Sequence, residues 1–261
     1  MKKTLIDKLP DNIPIDLRSL MFGYPVYDSS CSSEACVYFV ERDGGYYVKQ
    51  APKGSLATEA EMTRYFHSLG LGVEVARYIS EENDWLVTKA AVGEDCTSKR
   101  FLDDPRRLAI LLGESLRSLH EIDHTKCPLQ NRMDSYDATV RANYKKGIFD
   151  SDLFAGEFRF DNREGAYAEY LAARDSLDDH VLLHGDYCLP NIILENWRLS
   201  AFIDVGNGGV GDRHIDLFWG VWTLWFNLKT DAYKDVFLDA YGRDKVEVSL
   251  LRAIAAAETF G

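Results

Sequence analysis

Short apolar runs separated by turn residues mark the first third of the chain. Residues 35–40 and 46–49 are apolar runs flanking Asp43-Gly44-Gly45, which predicts a hairpin. Over residues 56–68 the spacing becomes helical, with Leu56, Met62, Tyr65 and Phe66 as the apolar contributors and Gly70 just past the end. Residues 76–80 and 85–88 read as a second strand pair. After Gly93 the period changes. Asp104-Pro105 is a helix-start signal, and Leu108, Leu111, Leu112, Leu116 and Leu119 follow at helical spacing. Further helices are expected at 136–146, 164–176, 213–227, 231–240 and 244–258, with short strands at 181–183 and 201–203. The pattern predicts an α+β protein of two lobes. One is an antiparallel-sheet lobe with a single helix over residues 1–90, and the other a mainly helical lobe over 91–261. They join near Thr88–Gly93, and a cleft between lobes is a natural ligand site.

Composition narrows the class. The 261 residues are 46% hydrophobic and 28% charged, an ordinary globular balance that excludes whole-chain disorder. No apolar run approaches the ~20 residues of a membrane helix. The start, Met1-Lys2-Lys3-Thr4-Leu5-Ile6-Asp7, has no apolar core behind its lysines, so a cytoplasmic protein is the default expectation. The net charge of −12 and the lack of basic clusters argue against nucleic acid as a partner. Residues 1–90 hold 10 basic and 13 acidic groups, a net of −3, so residues 91–261 hold the other −9. Such an excess suits a cationic small substrate as well as plain solubility. Five scattered cysteines without a CxxC pair, and only six histidines, predict neither a disulfide framework nor a zinc site. Any metal is expected to arrive with a substrate. No obligate protein partner is evident.

The chemistry concentrates in Leu182-Leu183-His184-Gly185-Asp186-Tyr187-Cys188-Leu189-Pro190-Asn191, followed by Phe202-Ile203-Asp204-Val205-Gly206. Phosphoryl transfer to a hydroxyl needs one carboxylate to accept the proton. It also needs an Asn and a second carboxylate to hold Mg²⁺ on the nucleotide phosphates. An Asp, an Asn five residues on, and an Asp-x-Gly behind a short apolar strand match that requirement in order and proportion. Asp186 is therefore the candidate base, with Asn191 and Asp204 the candidate metal ligands. His184 follows an apolar strand and is expected to pack and brace the loop.

The block from His184 to Leu217, including Asp212-Arg213-His214-Ile215-Asp216-Leu217, resembles the catalytic core of the aminoglycoside 3′-phosphotransferases, kinase-like enzymes acting on small molecules. That resemblance implies a protein-kinase-like fold, ATP (or GTP) with Mg²⁺, and a cationic aminoglycoside as acceptor. It further implies a phosphate-binding Lys49 held by Glu59, since Leu56, Glu59 and Tyr65 keep the family's spacing and Glu61 does not. Ser33 would lie on a phosphate-covering loop, and the backbone of Lys89 and Ala91 on an adenine-binding linker. Asp216 would brace the catalytic loop through its amides. Asp150, Asp152, Glu157 and Glu258 fall where the family places acceptor contacts. Two departures are Asn207, where an arginine is common, and Gly261 in place of a terminal aromatic. The rival readings are a kinase of another small alcohol, such as a macrolide or a metabolite, and an inactive kinase-like binding protein. Gly206 to Gly211 also satisfies GxGxxG, but Phe218–Leu228 reads as a helix where a dinucleotide fold needs a parallel strand. The glycines are read instead as a flexible segment after Asp204. GxxxxGK[ST] is absent from the sequence.

Overall fold

A computed structural model describes residues 3–261 apart from 32–34, 151, 153, 155 and 179. In chain order the elements are β1 (Thr4–Leu5), α1 (Ile15–Met21), β2 (Val26–Asp28), β3 (Cys36–Val40), β4 (Tyr46–Pro52), α2 (Ala57–Ser68), β5 (Val75–Ser80), β6 (Asn83–Lys89) and β7 (Glu94–Asp95). Then come α3 (Lys99–Leu102), α4 (Pro105–His120), α5 (Arg132–Lys146), α6 (Arg163–Ala173), β8 (Val181–Leu183), β9 (Ile192–Glu195), β10 (Arg198–Phe202) and β11 (Gly209–Gly211). The chain closes with α7 (His214–Leu228), α8 (Lys234–Tyr241) and α9 (Val248–Glu258).

Two units result, one of residues 1–95 with 192–206, the other of residues 96–191 with 207–261. This differs from a simple division at residue 90. β7 pairs with β9, β10 pairs with β9, and Phe202 bridges to Gly72, so these pairings tie both 94–95 and 192–202 to the first unit.

The first unit is built on a sheet ordered β1-β2-β3-β4-β6-β5, with every pairing antiparallel. Side chains alternate across it. Ile13, Leu17 and Met21 from α1 and the turn before it pack with Val40, Val48, Trp85 and Val87 as one buried cluster, while Leu56 and Ala60 of the α2 region join Ala51 and Leu86 in another. Asp84 sits fully buried in β6 and holds the start of α2. Its Oδ2 accepts from Leu56 N–H at 2.9 Å and Tyr78 OH at 2.9 Å, and its Oδ1 accepts from Ser80 Oγ at 2.6 Å. Burial alone would raise this carboxyl, but the hydrogen bonds outweigh it and hold the group below its ordinary range.

In the second unit α4 starts as expected. Asp104 accepts from Arg107 N–H at 3.3 Å, Pro105 is the first helical residue, and Leu108, Leu112, Leu116 and Leu119 are buried. α4 packs on α8, and α9 packs on α6 and α7. The helix expected at 244–258 starts at Val248, because Val246 and Glu247 are extended and a short 3₁₀ turn at Arg243–Lys245 precedes them. α5 runs one turn further back than expected, from Arg132. The glycines of 208–211 are not a flexible segment. Gly209–Gly211 form a buried strand paired with β8, and added Cβ atoms there would press on Leu129, Arg132 and Leu183.

Candidate active site

Within the first unit, Lys49 of β4, Glu59 of α2 and Asp204 after β10 converge. Lys49 Nζ donates to Glu59 Oε2 at 2.7 Å and to Asp204 Oδ1 at 2.8 Å. The β4 register sets Lys49 opposite Val37 and Leu86, and Asp84 fixes where α2 begins, so the pair follows from sheet and helix rather than from loops. Side-chain exposure falls from 49% at Asp204 to 22% at Lys49 and 13% at Glu59, leaving Asp204 the most open of the three. Burial works against the Lys49 charge, yet Asp204 and Glu59 outweigh it and hold the ammonium above its ordinary range. Glu59 is raised, first by burial and then by the Asp204 charge, with Lys49 opposing. Asp204 has φ 58°, a left-handed conformation that Asp tolerates better than most residues. Backbone held this way clusters at functional sites.

Within the second unit, the segment after β8 is densely hydrogen-bonded. Asn191 Nδ2 donates to Asp186 Oδ2 at 2.8 Å and to Asp186 O at 3.1 Å. This uses the Asn191 amide nitrogen and leaves Oδ1 as its remaining side-chain polar atom. Asp216, fully buried in the first turn of α7, accepts from His184 N–H at 2.7 Å and Gly185 N–H at 2.8 Å. His184 is buried, and its Nδ1 accepts from Asp186 N–H at 3.3 Å, a bracing geometry. Tyr187 OH donates to Leu112 O at 2.9 Å and Leu189 N–H to Thr223 Oγ1 at 3.0 Å. Gly185 is required here. Its φ is 85°, and a Cβ would stand 2.0 Å from Asn207 O.

Glu258, at the end of α9, accepts from Tyr136 OH at 2.8 Å. Burial pushes its carboxyl up to about 7, and the charge of Asp186 adds to this against bonds from Tyr136 and Trp219 and the nearby Arg132 cation. Asp150 lies next to the chain end, its N–H donating to Thr259 O at 2.8 Å while its Oδ1 accepts from Asp152 N–H at 3.0 Å. Asp150 and Asp152 are exposed. Glu157 departs from the expected acceptor role. Its carboxylate is ion-paired with Lys234, and its carbonyl accepts from Arg252. The Lys89 amide likewise is not available for a base, since it donates to Glu74 O at 3.0 Å in the β5–β6 pairing; Ala91 lies beyond β6. Ser33 lies outside the described residues. At Asn207, Arg132 arrives from α5, its Nη2 donating to Oδ1 at 3.4 Å. Phe260, fully buried against Tyr144, Phe149 and Tyr167, is the last aromatic. Sequence reasoning missed Asp84, Tyr136, Trp219 and Arg132; none stands in a motif, and only the fold brings them to these places.

Asn191 and Asp204 offer hard oxygen donors of the kind Mg²⁺ takes, and no cluster of three or more His, Cys, Asp or Glu side chains forms among the described residues. Among the same residues no helix is long and apolar enough to cross a membrane.

Residues 29–251 match the model of the APH phosphotransferase enzyme family. A probable aminoglycoside 3′-phosphotransferase of Lactococcus lactis subsp. lactis (strain IL1403) is 43% identical over 253 residues, 96% of each chain. Among solved structures, an aminoglycoside-3′-phosphotransferase of type VIII superposes with a TM-score of 0.80 at 27% identity, covering 94% of this chain and 97% of that one. An aminoglycoside phosphotransferase of Streptomyces rimosus ATCC10970, in complex with ADP and streptomycin, shares the fold. Its TM-score is 0.71 at 22% identity, over 87% of this chain and 91% of that one.

Proposed function

The chain belongs to the APH phosphotransferase enzyme family, and from that premise we propose that it transfers the γ-phosphoryl group of MgATP to the 3′-hydroxyl of an aminoglycoside, conferring resistance to the antibiotic. The observation that carries the reading is the Asp186–Asn191 pair, a carboxylate held by the amide of a residue suited to bind metal. Asp186 accepts the proton of the acceptor hydroxyl as that oxygen bonds to the γ-phosphorus and the bond to the ADP oxygen breaks. Asn191 and Asp204 are the residues that hold Mg²⁺, which supplies charge neutralisation on the phosphates. Lys49, kept in place by Glu59, takes the α- and β-phosphates. The transition state is loose, so positioning and charge contribute more than the proton transfer. The nucleotide and aminoglycoside bound to the Streptomyces rimosus relative support both ligand classes.

Glu258, with Asp150 and Asp152 close in the chain fold, is the carboxylate set for the acceptor's ammonium groups. A charge-assisted contact contributes roughly 1.5–3 kcal/mol. Glu258→Gln is therefore expected to raise the acceptor KM about tenfold or more while the ATP KM stays within about twofold. With its carboxyl near 7, Glu258 is charged above that pH and neutral below it. The parent's acceptor KM should thus rise as pH falls through 7, and the variant's should not. Rising salt should weaken acceptor binding, since exposed charge pairs are screened over about 8 Å at physiological ionic strength. Steady-state kinetics across pH and salt check this. A KM flat in both, with the variant matching the parent, moves the acceptor to the neutral alcohols.

A further inference from the structure

Behind the catalytic loop runs a chain of polar side chains, buried at His120 and Asp216, that the chemistry above does not use. Asp216 carries the His184 and Gly185 amides, and its Oδ2 also lies 3.1 Å from His120 Nε2. His120 is the last residue of α4, and its Nδ1 lies 2.8 Å from the hydroxyl of Tyr241, the last residue of α8. Arg213 Nη1 donates to the same hydroxyl at 3.0 Å, and Arg117 Nη1 donates to the Tyr241 carbonyl at 2.9 Å. The side chains of His120 and Asp216 are both wholly out of solvent.

The partners assign the protons. A carboxylate offers only acceptors, so His120 Nε2 carries the hydrogen toward Asp216. In the neutral ring Nδ1 is then a lone pair, and Tyr241 must donate to it. Arg213 has only donors and takes the remaining lone pair of the hydroxyl. The bonds therefore run in one direction, from Arg213 through Tyr241 and His120 to Asp216. Burial keeps the imidazole below its ordinary pKa despite the pull of Asp216, so the ring stays neutral near pH 7.

We propose that Tyr241 is a positioning residue for phosphoryl transfer: it fixes the Nε2–H tautomer of His120, which holds the Asp216 carboxylate in the orientation that carries the backbone leading into Asp186. Only one His120 tautomer serves both neighbours. The other would set an N–H against the hydroxyl's hydrogen and a lone pair against the carboxylate. Gly185 makes the consequence local, because its left-handed turn is held by Asp216 and leaves no room for a Cβ beside the Asn207 carbonyl.

Tyr241→Phe tests this, since it keeps the ring, which stands edge-on to His120 at 5.6 Å and 78°, and deletes only the hydroxyl. The expected result is a kcat about tenfold lower with nucleotide KM within about twofold, because misplacement of a reacting group lowers turnover more than binding. In ¹⁵N spectra of labelled histidine, the parent should show His120 as the Nε2–H tautomer with a hydrogen-bonded Nδ1, and the variant should lose that Nδ1 bond. His120→Gln retains a donor toward Asp216 and an acceptor toward Tyr241 and should stay close to the parent, whereas His120→Leu should not. Parent-like kcat in Tyr241→Phe, an Nδ1–H tautomer in the parent, or His120→Gln as poor as His120→Leu would each overturn the proposal. The kinetic arm rests on the phosphotransferase reading, but the spectra do not. An inactive parent would therefore refute that reading and leave the tautomer still decided by measurement.

Discussion

Asp186→Asn is expected to lower kcat by about 10²–10⁴-fold, the usual contribution of a positioned general base. Folding should survive the change. The new amide oxygen can still accept from Asn191 Nδ2, and the brace of the loop comes from Asp216, Tyr187 and Thr223 rather than from the Asp186 carboxylate. MgATP affinity should remain near that of the parent, because Lys49 and Asp204 are untouched. Single-turnover kinetics with calorimetric MgATP titration separate these quantities. Near-parent kcat in the variant would remove Asp186 from the chemistry.

Asp204→Ala should fail at an earlier step. It removes the most exposed carboxylate of the Lys49 cluster and with it one proposed Mg²⁺ ligand. It also deletes one of the two partners of the Lys49 ammonium among the described residues, and the neighbouring charge that raises Glu59. Each charge-assisted contact contributes roughly 1.5–3 kcal/mol and each tenfold in affinity is about 1.4 kcal/mol, so MgATP should bind about 10²-fold more weakly. Metal-free ATP should bind the parent and the variant more alike. Thermal unfolding should change little, since the side chain is half exposed and the hydrophobic clusters of the sheet do not include it. Calorimetry giving the same MgATP affinity for both proteins would detach Asp204 from the metal.

The residues proposed to carry this chemistry could be singled out because their spacing is a chemical requirement. Asp186, Asn191 and Asp204 stand at fixed intervals around short apolar strands, and the Lys49–Glu59 pair observed at 2.7 Å follows from one strand register and one helix start. The supporting residues were not legible. Asp84 looks like a surface acid in Asn83-Asp84-Trp85, and only the β4–β6–β5 pairing shows that it lies beneath α2. The β9–β10 hairpin was half missed because its turn, Asn196-Trp197, has no glycine, although both residues adopt positive φ. The glycines of 208–211 suggested mobility, but the strand they form is short of side chains because Leu129, Arg132 and Leu183 crowd it. Glu157 matched by position, yet Lys234, 77 residues away in the chain, neutralises it.

The most direct measurement follows phosphate from MgATP onto an aminoglycoside that carries a 3′-hydroxyl and onto its 3′-deoxy counterpart, with the product read by ³¹P NMR. One phosphomonoester signal coupled to the 3′ proton is expected, with one ADP formed per acceptor consumed and no turnover of the 3′-deoxy compound. Equal turnover of both compounds, or phosphate transfer to neither, would contradict 3′-O-phosphorylation as the activity of this chain.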